Sequence, residues 1–174
     1  TRLPKISTDE INPDGANWHY RMQQFVVGLK TGQLEKTYQH YHPGVTLMWI
    51  AGVPVEIYKQ ITNITVYDMN NFQAFHLVAK VSVIFAQLIL SLLAIFLLSQ
   101  VIGFNKSFLV IMLLSLEPFF LGNSRLFHMD VLLAMFMFDA LLFAFIALQK
   151  ERKIYALATG IFLALSFLTK SIGI

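Results

Sequence analysis

An all-α, polytopic membrane protein is the fold class that the sequence predicts, and three observations predict it. Of the 174 residues, 56% are hydrophobic, and the mean hydropathy of +0.62 is far above that of a soluble domain whose surface must be wetted. The chain changes character near residue 74: charged, amide and aromatic residues are mixed before it, and long apolar runs separated by short polar breaks follow it. The run over 74–102 is long enough to cross a bilayer, which takes roughly 20 residues of helix, and the runs after it are shorter. The formal charge of +3 is what the loops of membrane proteins carry routinely, and nucleic acid is not expected as a partner. Cysteine is absent, which excludes a disulfide framework and a thiolate metal site.

Four spans are read, at about 74–102, 108–121, 131–148 and 154–168, following an external segment over 1–73. The second run is interrupted by Glu117-Pro118. The break QKERK at 149–153 holds three basic residues in five positions and is placed on the cytoplasmic side. Alternation then puts residues 1–73, the 122–130 loop and the segment after Leu168 on the opposite face. Arg125 and Lys170 are therefore basic residues against the usual bias, which suggests an anion bound there. The chain begins at Thr1 and stops at Ile174 just after Lys-Ser-Ile-Gly, and it reads as an N-terminal fragment of a longer protein.

Within residues 1–73 two helices are expected that do not span. Trp18, Met22, Phe25, Val26 and Leu29 recur at helical spacing, with Asp14 and Asn17 as candidate caps and Gly32 as a stop. The second helix begins after His42-Pro43-Gly44 and runs from Val45 to Gln60, interrupted by Gly52 and Pro54. Both are read as amphipathic, lying along or dipping into the membrane. On the first span, His76, Lys80, Gln87 and Ser91 share one face. Either this face is turned to the bundle interior or a wet cavity, or His76 and Lys80 reach up to the interface. Ala156, Gly160 and Ala164 recur every four positions and are read as a helix-packing stripe. Asp139 lies in mid-span, as a structural or proton-handling group.

The chemistry-bearing residues fall in four pieces of the same face: 8–21, 38–49, 116–130 and 168–173. Carboxylates there can accept a proton from an alcohol, and Arg and Lys can neutralise a phosphate. The bland alternatives are that Asp9, Glu10 and Asp14 are loop carboxylates or helix caps, that Glu117 reaches water, and that Arg125 pairs with Asp130. His40 and His42, with His19, are either stacking and hydrogen-bonding groups or ligands of a divalent metal ion. Asn63-Ile64-Thr65 matches a glycosylation sequon loosely.

PDGANW, YHPGVTLMW, EPFFLGNSRLFHMD and GIFLALSFLTKS, in this order, resemble the membrane glycosyltransferases of the dolichyl-phosphate-mannose protein mannosyltransferase type (glycosyltransferase family 39), including bacterial relatives that use polyprenyl-phosphate sugars. The resemblance covers nearly the whole chain. It implies a C-type glycosyltransferase-like helical bundle with amphipathic juxtamembrane helices in the first external loop. It also implies a polyprenyl-phosphate-linked sugar donor, a protein, lipid or glycan acceptor, and residence in the bacterial plasma membrane with residues 1–73 extracytoplasmic. The family's Asp-Glu pair corresponds either to Asp9-Glu10 or to Asp14-Gly15, and Asp14 stands at the better distance before Trp18 and Arg21. The expected mechanism is a single inverting displacement with Asp14 as general base. Arg125 and Lys170 are expected on the phosphate, and Arg21, His42, Glu117 and Asp130 among the substrate-binding residues. A transporter or flippase of a lipid-linked anion, using the polar stripe of the first span, is the rival reading. A non-catalytic subunit that binds lipid phosphate is the third.

Overall fold

Pro13 opens the first helix because proline lacks the amide hydrogen that a helix leaves unpaired there. A computed structural model describes residues 6, 12–38, 43–64 and 67–171. Helix α1, Pro13–Thr31, is capped by Asn12, whose side chain accepts from the Asp14 amide, and it ends at Gly32 in the left-handed conformation. The cap is thus Asn12 and not Asp14 or Asn17, because an N1 proline fixes the helix start one residue after the asparagine. Asp14 is left in the first turn with its carboxylate unspent on capping.

A short 3-10 turn, Leu34–Thr37, leads towards α2, Val45–Thr62. Helix α3 follows at Met69–Ile102, then α4 at Phe104–Leu116, α5 at Pro118–Ser124, α6 at Asp130–Lys150 and α7 at Lys153–Thr169. Helix α3 begins earlier than the apolar run at residue 74, because Asp68 accepts from the amides of Asn70 and Asn71 and adds a polar first turn. Two helices, α3 and α6, are long and apolar enough to cross a membrane. Helices α4 and α5 pass the same test only together, bent by 71° at the Glu117-Pro118 break, and α7 is a shorter apolar helix. The chain is an all-α integral membrane protein.

Helices α3 and α6 run in the same direction. His76 near the start of α3 meets Phe127 just ahead of α6, and Lys150 at the end of α6 donates to Gln100 Oε1 near the end of α3. Helix α7 returns antiparallel to α6, packed through Phe162 on Phe136 and Phe143. That choice of face turns Ala156, Gly160 and Ala164 outwards, so among the described residues the small-residue stripe packs on nothing. Helices α1 and α2 lie on α3 through one apolar core that includes Trp18, Met22, Leu47, Ala51, Phe75 and Ala79.

Two glycines decide how closely the first two helices approach. A Cβ at Gly52 would stand 2.9 Å from Met22 Cγ, so only glycine lets α2 lie against α1 at this point. Gly44, φ 59°, is the N-cap of α2, and a Cβ there would overlap the Trp18 ring. Gly44→Ala combines left-handed strain with a collision and is expected to cost about 2 to 4 kcal/mol. Gly32→Ala, also left-handed but facing open space, should cost about 1 kcal/mol. Thermal unfolding in detergent micelles, run on both variants, checks the ordering.

The polar stripe of α3 is buried: Lys80 is 2% exposed, and His76, Gln87 and Ser91 are buried with it. Interior placement therefore prevails over reach to the interface. Lys80 Nζ donates to the Ile6 carbonyl at 3.0 Å. Asp139 is fully buried, and among the described residues neither carboxylate oxygen has a hydrogen-bond partner.

Candidate active site

The structure gathers four distant pieces of sequence at one end of the bundle. Asp14, in the first turn of α1, places Oδ2 3.8 Å from His128 Nε2. The other ring nitrogen, Nδ1, lies 3.2 Å from Asp130 Oδ2. The second Asp130 oxygen accepts from Lys170 Nζ at 2.9 Å. The result is a chain of alternating acid and base, Asp14–His128–Asp130–Lys170, drawn from α1, the bend before α6, the start of α6 and the end of α7.

Each link has a local cause. Residues 125–129 form a bend in which α5 has ended and α6 has not begun, and this bend carries His128. Lys170 follows the last turn of α7, and its backbone amide bonds to the Ser166 carbonyl. The end of α7 is latched to the start of α2: Gly44 N donates to the Thr169 carbonyl at 3.0 Å, and the Thr46 and Thr169 hydroxyls are 2.7 Å apart. Thr169 Oγ1 spends its own proton on the Leu165 carbonyl, so Thr46 is the donor of that pair. Pro-Gly-Val-Thr therefore serves to turn α2 onto the residue that precedes Lys170.

Over this chain sits Trp18, edge-on to His128 at 6.3 Å between centroids, with the Arg21 guanidinium over the Trp18 ring at 4.3 Å from its centroid. Asp14 stays open, its side chain 63% exposed, while those of His128 and Lys170 are mostly covered. An exposed carboxylate backed by His128, a half-exposed Asp130 and Lys170 suits proton removal from an incoming hydroxyl, with cationic charge held nearby.

Behind this cluster lies a second polar group. His19 Nε2 is 2.9 Å from His76 Nδ1, and Tyr67 hydrogen-bonds to His19 Nδ1. Phe72 and Phe127 close the cage at 4.9 and 4.8 Å from the His19 ring. Burial first, and the neighbouring His76 second, lower the His19 pKa from 6.5 to about 3, and burial keeps Tyr67 protonated well above its ordinary range. A protonated Tyr67 donating to Nδ1 leaves the His19 proton on Nε2, pointed at His76. Below pH 6.5 the unfolded chain binds a proton at His19 that the folded chain refuses. Its contribution to stability is complete above 6.5 and is lost progressively as the pH falls towards about 3. Hydrogen-exchange protection of α1 amides should fall across that window, and the fall should flatten in His19→Asn.

Asp14, Asp130 and Lys170 come together, and Arg21 reaches the same end through Trp18. Arg125 closes α5 at the start of the bend. Asp130 meets His128 and Lys170. Glu117 caps α5, accepting from the Phe119 and Phe120 amides. Asp9, Glu10, His40 and His42 lie outside the described residues. Among the described residues no three His, Asp or Glu side chains are set to hold a metal ion, and His19 is occupied by His76 and Tyr67. His128 was missed by sequence reasoning, although its spacing from Asp130, two residues inside the RLFHMD stretch, was the available signal.

The arrangement sets acidic and basic side chains at one end of a bundle of apolar helices. Residues 70–174 match the model of the dolichyl-phosphate-mannose-protein mannosyltransferase family. The chain belongs to that family. Comparison with curated proteins and with solved structures gave no match.

Proposed function

We propose that the chain moves a sugar from a polyprenyl-phosphate-linked donor to an acceptor hydroxyl on the extracytoplasmic side, by one inverting displacement. The observation that carries this reading is the convergence of Asp14, His128, Asp130 and Lys170 in a chain that belongs to a mannosyltransferase family. The acceptor oxygen attacks the anomeric carbon while its proton passes to Asp14. The bond from that carbon to the phosphate oxygen breaks, and its electron pair leaves with the polyprenyl phosphate. Lys170, oriented by Asp130, and Arg125, beside the same bend, stabilise the charge that develops on the phosphate. His128 holds the Asp14 carboxylate in place and shares its proton. Asp9 and Glu10 stay as the alternative base pair.

Two contacts weigh against the flippase reading: His76 bonds to His19, and Lys80 to the Ile6 carbonyl. The stereochemistry of the product tests the displacement. A purified full chain given a donor of known anomeric configuration should yield a glycoside of the opposite configuration by NMR. A product of retained configuration would require a covalent sugar–enzyme intermediate and overturn the single step.

A further inference from the structure

Two segments far apart in the chain supply Asp14 and His128, and something must set their separation. Trp18 and Met22 bury apolar surface beneath α1, but apolar contact is non-directional and does not by itself fix how a helix slides or rotates. His19 supplies direction. It follows Asp14 by little more than one turn of the same rigid helix. Its ring is held by hydrogen bonds to Tyr67 and His76, while Phe127, the residue before His128, packs against it at 4.8 Å. The segments that carry the two ends of the Asp14–His128 pair thus meet at His19, and α3 anchors the meeting point.

We infer that His76, acting through its hydrogen bond to His19, is a positioning residue that holds α1 at the distance and rotation at which Asp14 faces His128. The role attributed to that distance rests on the sugar-transfer reading above. A second observation on α3 points the same way: Lys80, one turn further along, holds the Ile6 carbonyl of the segment that leads into α1. The outer turns of α3 therefore grip the chain on both sides of residues 9–14. Among the described residues, the titratable groups facing His19 are Tyr67 from the α2–α3 connection and His76 from α3, with Lys80 beyond. Those facing His128 are Asp14 and Asp130.

Residues 1–174 hold no cysteine, and the test uses a background in which any cysteine elsewhere in the protein is replaced. Tyr20, 64% exposed on α1, and Gly122 of α5, where an added Cβ meets open space, are replaced by cysteine and spin-labelled in the full chain. Pulsed EPR then reads the α1–α5 distance. In His76→Phe, which keeps the ring packed on Phe72 but removes the nitrogen that His19 reaches, the distribution should broaden and shift. His76→Asn, whose amide oxygen can take the place of Nδ1, should restore it. In the transfer assay with a polyprenyl-phosphate hexose, His76→Phe should lower kcat by about 10- to 100-fold with the donor KM unchanged, and His76→Asn should recover most of the loss. If His76→Phe does not fold, Tyr67→Phe removes the bond on the other side of His19 and carries the same measurement. A wild-type distance distribution in a folded His76→Phe or Tyr67→Phe overturns the inference. A shifted distribution in a chain that transfers no sugar upholds the positioning role and rejects the sugar-transfer reading.

Discussion

Asp14→Asn is expected to lower kcat for sugar transfer by about 10³-fold or more while leaving the fold intact. A general base contributes roughly 10²- to 10⁴-fold, and an amide at this position has no basic oxygen to receive the acceptor's proton. The fold should tolerate the change because Asp14 is 63% exposed and the capping of α1 belongs to Asn12. The loss of a first-turn carboxylate from the positive end of the helix should cost only a few tenths of a kcal/mol. Donor KM should move little, since the base touches the acceptor and not the lipid phosphate. Asp9→Asn is the control: if it removes activity and Asp14→Asn does not, the base is Asp9 and the Asp14–His128 contact is structural.

Lys170→Met is the second large effect, with an expected fall in kcat of about 10²- to 10³-fold. The figure follows from the loss of roughly 2.7 to 4 kcal/mol when one preorganised donor to a developing oxyanion is removed. Methionine keeps the length and much of the apolar packing of the lysine stem, so the charge is the main thing removed. Asp130 would then lose the ammonium it accepts from at 2.9 Å, and His128 would feel a less neutralised carboxylate. The double-mutant cycle with Asp130→Asn separates these effects. Asp130→Asn alone should lower kcat through misplacement of Lys170 and His128. Added to Lys170→Met it should cost much less than its own single effect, because the two residues act as a unit. Full additivity would mean that Asp130 does not work through Lys170.

The helical, membrane-embedded character of the chain was legible because it depends on apolar content and run length, which a sequence displays directly. The positions of α1 and α2 were legible too, from periodic Trp18, Met22 and Phe25, and from Pro43-Gly44. The cap was misread because Asn12 and Asp14 are equally good capping types, and only the choice of Pro13 as the first helical residue decides between them. The outward turn of Ala156, Gly160 and Ala164 had no local signal: which face of α7 packs is settled by Phe162 meeting Phe136 and Phe143 across the bundle. At the site, Asp14, Asp130 and Lys170 could be nominated from residue type and topology. Their pairing through His128 could not, since a histidine two residues before an aspartate gains its meaning only when α1 lies over it. The same holds for His19 and His76, whose contact joins residues 57 positions apart.

The central claim, that this chain breaks the bond between a lipid phosphate and a sugar, is tested most directly by following the sugar itself. Full-length protein in liposomes is given polyprenyl phosphate carrying radiolabelled mannose, together with a crude acceptor fraction. The account predicts that label leaves the lipid, appears on an acceptor and leaves free polyprenyl phosphate in equal amount. Label that stays on the lipid while crossing from one leaflet to the other would contradict it and make the protein a carrier of its substrate.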